Sequence, residues 1–151
     1  MKILLITLLF LIFVRGVSAQ EIRVTGQWNY TIPTNNITEA GENFRNRHTS
    51  SQNQVYLDII YDNDWSVSVQ KNNIDWINEL RIFARRPGDG IGSSPINGGQ
   101  SYIRIRNRDS QFITGNRNRT SIPLQYQVRR VSVIYAAHTW VAEIMYTLTA
   151  T

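Results

Sequence analysis

Residues 139–151 alternate strictly. Trp140, Ala142, Ile144, Tyr146, Leu148 and Ala150 fall on one side of a ribbon of period two, and Val141, Glu143, Met145, Thr147 and Thr149 on the other. That period marks a β-strand with one buried face. A strand this apolar must be paired and covered, or it becomes an aggregation edge. The same period predicts a first strand over 21–32, with Ile22, Val24, Gly26, Trp28, Tyr30 and Ile32 in phase and Pro33 as its stop. Residues 34–54 are polar and predict a long surface loop, with a short helical turn over 37–44 as a variant of it.

Val55, Leu57, Ile59 and Tyr61 predict a second strand, and Trp65, Val67 and Val69 a third that Asn72-Asn73 breaks. Asp62-Asn63-Asp64 between them is turn chemistry, because these side chains bond their own backbone and tolerate left-handed angles. Together they predict a β-hairpin. Trp76 falls in a connecting segment. Leu80, Ile82 and Ala84 then alternate against Arg81, Phe83 and Arg85. Residues 87–100, rich in Gly, Ser and Pro, predict a loop. Over 101–108, Ile103 and Ile105 point inward and Tyr102, Arg104, Arg106 and Arg108 outward. A short strand over 111–114 closes at Gly115. Ile122, Leu124, Tyr126 and Val128 share one face of the next strand, where Pro123 predicts an edge or a bulge. Val131, Val133 and Tyr135 follow it. The inner face of the last strand is expected to meet Ile122, Leu124 and Tyr126. The whole predicts an all-β domain of roughly eight strands, a sandwich or barrel.

Residues 1–19 stand outside this pattern. Lys2 gives a positive start, 3–14 is an almost continuous apolar run, and Val17-Ser18-Ala19 is a small-residue exit. These predict a secretory signal peptide cleaved between Ala19 and Gln20, leaving one domain over 20–151. The apolar run is short for a transmembrane span. The chain has no cysteine. Eukaryotic exported domains of this size usually carry disulfides, so the expectation is a secreted or cell-surface protein of bacterial envelope or extracellular origin, held by packing alone.

The net charge is +5, and loss of Lys2 and Arg15 with the leader leaves about +3. That modest excess and the exported address argue against nucleic acid as a partner. Nor is a membrane span expected in the mature protein.

Candidate chemistry is sparse. His48 and His138 lie far apart, and a zinc site wants three or four N or S ligands, so no metal, cofactor or catalytic residue is expected. Asp58, Asp62 and Asp64 offer oxygens for calcium, but an ordinary turn accounts for them. Gly88-Asp89-Gly90-Ile91-Gly92 lacks the Lys-Ser/Thr of a phosphate loop. No Gly-x-Ser-x-Gly elbow appears. The distinctive polar feature is a run of arginines at 104, 106, 108, 117, 119, 129 and 130. It reads first as a solubilising face, and second as an anion, acidic-glycan or subunit contact. Trp28, Trp65 and Trp140 are in phase with apolar faces, so Trp76 is the one candidate sugar platform. Candidate binding residues are therefore Trp76, Tyr102, Arg104, Arg106 and Arg108. Asn29, Asn36 and Asn118 begin N-glycosylation sequons, which matter only in a host that reads them.

Residues 112–128, Phe-Ile-Thr-Gly-Asn-Arg-Asn-Arg-Thr-Ser-Ile-Pro-Leu-Gln-Tyr-Gln-Val, and the closing 142–150, Ala-Glu-Ile-Met-Tyr-Thr-Leu-Thr-Ala, resemble the C-terminal half of bacterial fimbrial-type and spore-coat-U-like surface subunits. The chain has Ala137-His138-Thr139-Trp140 where these subunits tend to have Gly-Thr-Tyr, and it lacks the cysteines many of them carry. The resemblance implies an antiparallel immunoglobulin-like β-sandwich of about 7–8 strands, non-enzymatic, exported for display or assembly. A secreted carbohydrate-binding module is the alternative. Assembly with other copies or related subunits has a candidate segment in Ile22, Val24, Gly26, Trp28 and Tyr30, which suits strand addition to a neighbour; the plainer reading is the domain's own first strand.

Overall fold

The computed structural model describes residues 20–32, 44–45, 47–135 and 138–151. The expected leader, the helical turn over 37–44 apart from Phe44, and the Asn36 sequon lie outside these residues. Among the described residues there are ten strands and no helix: β1 Glu21–Gly26, β2 Arg47–Thr49, β3 Val55–Ile60, β4 Asp64–Asp75, β5 Arg81–Arg85, β6 Ile96–Gly98, β7 Ile103–Arg104, β8 Ser110–Asn116, β9 Arg119–Arg129 and β10 Val141–Ala150. They form two antiparallel sheets. The larger runs β1-β3-β9-β5-β7, with β2 also paired to β9, and the smaller runs β10-β4-β8-β6. One core joins them. Val55, Leu57, Ile59, Ile82, Ala84, Ile122, Leu124 and Tyr126 of the larger sheet meet Trp65, Val67, Val69, Ile96, Phe112 and Ile113 of the smaller. The alternation legible in the sequence is thus the inner face of a β-sandwich.

The expected hairpin is not one. β3 pairs with β1 and β9, while β4 pairs with β10 and β8. The Asp62-Asn63-Asp64 turn therefore carries the chain from one sheet to the other. Strands that face each other across a core bury alternate residues just as neighbours in one sheet do, so the pattern is the same for both arrangements. Two further boundaries differ. β4 continues through Asn72-Asn73 to Asp75, because β10 supplies partners along its length and Asn72 bonds Glu143. β1 stops at Gly26 rather than Pro33. Gly26 has φ +100°, and a Cβ there would lie 1.9 Å from the Gln54 carbonyl oxygen, so the chain turns out of the sheet where only glycine fits.

Pro123 lies on no edge strand; the irregularity falls before it, over 119–122, and Pro123 itself keeps register opposite Tyr56. β9 is central, flanked by β3 and β5. The β3 register slips between Leu57 and Ile59, and Ser121 takes φ +54°. The Ser121 amide freed by this irregularity donates to Asp58 Oδ1 at 2.7 Å. Three expected features change. The arginine-bearing strand over 101–108 shrinks to the two residues of β7. Val131 is buried but belongs to no strand, and Val133 is 43% exposed. Trp140, expected on the inner face, is half-buried and packs on His138, ring centroids 4.4 Å apart.

β10 pairs with β4 from Val141 to Ala150. Ala142, Ile144, Tyr146 and Leu148 lean on the core as the alternation predicts. The Tyr146 and Tyr126 hydroxyls meet at 2.9 Å across the two sheets, and desolvation raises the Tyr126 pKa to about 12. At the opposite edge of β10, Gln20 donates its side-chain amide to the Leu148 carbonyl at 2.7 Å.

His48 is buried, with Nδ1 2.9 Å from the Tyr30 hydroxyl. Burial holds its pKa below the usual histidine value. The unfolded chain therefore binds the proton more readily than the folded one, and stability falls as pH drops through about 6.5. Thermal melts across that range should show a loss that is smaller in His48→Gln. An equal pH dependence in the two proteins would refute this assignment.

Candidate functional site

The outer face of the larger sheet follows from the same alternation. β5 turns Ile82 and Ala84 inward and Arg81, Phe83 and Arg85 outward. β2 buries His48 and leaves Arg47 and Thr49 outside. β9 sends Gln125, Gln127 and Arg129 to the side opposite Leu124 and Tyr126. Register then assembles them. Arg47 and Arg81 both pair with Arg129, Thr49 and Phe83 with Gln127, and Phe83 with Arg104 of β7. Directly opposed residues lie about 4.5–5.5 Å apart at Cβ, so three guanidinium groups line up across β2, β9 and β5.

Arg129, and Arg85 beside this row, are held in orientation. The Arg129 guanidinium lies 3.9 Å from the Phe83 ring centre, and Arg85 lies 4.9 Å from that of Tyr102. Gln127 Oε1 accepts from Arg129 Nε at 2.5 Å, while its amide donates to Thr49 Oγ1 at 2.9 Å. Gln125 Oε1 accepts from Arg85 Nε and the Tyr102 hydroxyl at 2.8 and 2.9 Å, and its amide donates to the Ser50 carbonyl. Both glutamines are buried. Stacking and amide bonding of this kind lock planar cations in place.

Arg47, Arg81, Phe83, Arg129 and Arg130 line a half-open pocket of about 240 Å³. Among the described residues, no carboxylate forms an ion pair with Arg47, Arg81, Arg104 or Arg129. Arg81 Nε is buried with no hydrogen-bond partner among the described residues. Arg104 has its pKa lowered, first by desolvation and then by the charges of Arg81, Arg106 and Arg130. Burial and the Arg104 charge likewise lower the Lys71 pKa. Like charges placed directly opposite on neighbouring strands weaken a sheet. Here the sequence departs from the rule that local choices agree with the fold, and such departures gather at functional sites.

Of the residues expected from sequence, Tyr102 and Arg104 join this face. Arg106 and Arg108 lie beyond the end of β7 and are exposed, and the Arg106 carbonyl accepts from the Lys71 amide of the smaller sheet. Trp76 is half-buried against the core, its indole N–H donating to the Leu80 carbonyl at 3.0 Å, and it lies away from this face. Ile22, Val24 and Gly26 pair within the chain to Ile59, Leu57 and Val55. Trp28 stacks at 8° on Tyr126, and Tyr30 holds His48. The segment suited to strand addition is thus seated in its own domain. Sequence reasoning missed Arg47, Arg81, Phe83 and Arg129 as one group. Arg81, Phe83 and Arg85 showed in the alternation, but the three residues of β2 had no signal within a polar stretch.

Two other arginines are structural. Arg86 is 1% exposed; it donates to the carbonyls of Gly98 and Ile96 at 2.6 and 2.9 Å and pairs with Asp89. Arg119, also buried, donates to the Gly92 carbonyl at 3.0 Å. Together they fasten the glycine-rich segment over 87–99 to the sandwich. His138 meets Asp75 at 2.6 Å, remote in sequence from His48 and engaged elsewhere. Among the described residues, no helix is long and apolar enough to cross a membrane.

No protein-family model, curated protein or solved structure matches the chain.

Proposed function

We propose that the protein is an exported, non-enzymatic surface subunit, structural or adhesive in role, that meets its partner through the outer face of the larger sheet. One observation carries this reading: the pocket on that face is lined by guanidinium groups and a phenyl ring. Such groups attract and orient anions, and they offer neither a nucleophile nor a proton acceptor for turnover. The signal-like leader and the resemblance of residues 112–128 and 142–150 to fimbrial-type subunits point the same way. Assembly with further copies, if it accompanies this role, falls to the sheet edges, since β3 already holds β1.

The test is fractionation of cells expressing the full chain, with N-terminal sequencing of the product. The expected result is protein outside the cytoplasm beginning at Gln20. Unprocessed protein retained in the cytoplasm would overturn the reading.

A further inference from the structure

Resting on that reading of the face, we infer that the guanidinium row from Arg47 through Arg129 and Arg81 to Arg104 binds an acidic polysaccharide laid across the strands, with one sulfate ester or carboxylate of the polymer seated in the pocket beside Phe83.

The shape of the row selects a polymer. Adjacent strands lie about 4.8 Å apart, so the path across β2, β9, β5 and β7 covers about 14 Å. That is longer than one small oxyanion and suits an anion repeated along a chain. The chemistry selects the anion. Arginine presents a planar fork that matches the oxygens of a carboxylate or a tetrahedral oxyanion. The buried glutamines hold Arg85 and Arg129 in place before any ligand arrives, which lowers the ordering cost of binding.

Two other polyanions fit less well. Single-stranded nucleic acid stacks its bases on open aromatic faces, but the Phe83 and Tyr102 rings already carry Arg129 and Arg85. A membrane-binding face sets apolar side chains beside its cations. Among the described residues, the large exposed apolar side chains (Val24, Tyr30, Ile74, Ile91, Val133, Ile134 and Val141) all lie off β2, β5, β7 and β9.

The experiment titrates the processed protein with dextran sulfate, polygalacturonate, neutral dextran, single-stranded DNA and anionic phospholipid vesicles. The variants are Arg47→Gln, Arg81→Gln and, as a control at the far edge of the same sheet, on β1, Arg23→Gln. Dextran sulfate, polygalacturonate or both should bind, and the one that binds assigns the anion. Binding should weaken with salt, and each of the first two substitutions should weaken it about tenfold, with Arg23→Gln unchanged. Arg47 is exposed, so its variant stays folded even if Arg81→Gln does not. Failure of both acidic polysaccharides to bind, tighter binding of DNA or vesicles, or an Arg47→Gln protein that binds as the parent does would overturn the inference. Exported protein that ignores polysaccharide defeats this inference alone, whereas cytoplasmic protein that binds it defeats the surface-subunit reading instead.

Discussion

Arg86→Leu is expected to destabilise the protein by about 3–5 kcal/mol, the cost of breaking a buried charged network. Arg86 follows directly on β5, and its backbone amide donates to the Gly99 carbonyl at 2.7 Å. Its guanidinium reaches across to the Ile96 and Gly98 carbonyls, which bracket β6. Leucine fills part of the volume but leaves these acceptors without a donor, and each orphaned buried group costs about 1–3 kcal/mol. The Asp89 pair contributes little of this, because that carboxylate is 55% exposed and water replaces its partner. Asp89→Asn should therefore cost less than about 1 kcal/mol. Lysine does not rescue the site, since a point charge on a flexible stem lacks the planar fork that reaches two carbonyls at once. Urea unfolding of the three variants measures the contrast. Equal losses for Arg86→Leu and Asp89→Asn would mean that the ion pair, not the carbonyl network, holds the segment over 87–99.

Trp65→Ala should cost a similar amount, about 3–5 kcal/mol. Trp65 is 1% exposed at the start of β4, and its indole N–H donates to the Arg117 carbonyl at 2.8 Å. Its cross-strand partner is Gly115, where a Cβ would stand 2.4 Å from the indole ring. The ring thus occupies the space over β8 that any other residue at 115 would fill. Gly115→Ala alone should cost about 1–3 kcal/mol through overpacking. Combined with Trp65→Ala, that penalty should largely vanish, because the ring it collides with is gone. The double-mutant cycle reads this coupling directly. Strictly additive losses would show that the ring and the glycine do not share one space.

These two sites show how far the sequence reaches. The burial of Trp65, Val67 and Val69 was legible because alternation on a strand is a local property. Its placement was not. Whether the Asp62-Asn63-Asp64 turn returns β4 beside β3 or lifts it into the opposite sheet depends on the edges that β9, β10 and β8 occupy, which begin 46 or more residues further along the chain. Gly115 read as the end of a strand, because a glycine that breaks a strand and one that makes room for an indole look alike. Pro123 was half legible. Its missing amide predicts an irregularity in any strand, and the choice between bulge and edge waits on the partners.

The candidate site divides in the same way. Tyr102 and Arg104 were visible as outward residues of an alternating stretch. Arg47 was not, because the three residues of β2 carry too little pattern to stand out from a polar loop. The cluster exists because register sets Arg47 and Arg81 on either side of Arg129, and register is a property of the assembled sheet. Arg86 and Arg119 carry the same charge yet have the opposite fate, buried among carbonyls. Arginine count and spacing do not distinguish the two uses.

The most direct test of the account is to follow the side-chain Nε–Hε signals of arginine by NMR while dextran sulfate or polygalacturonate is added. Arg47, Arg81, Arg104 and Arg129 should shift together and saturably. Arg86 and Arg119, buried in the fold, and Arg23, on β1, should stay where they are. Shifts centred on Arg23, Arg106 and Arg108, or none on the β2–β9–β5–β7 face, would contradict it.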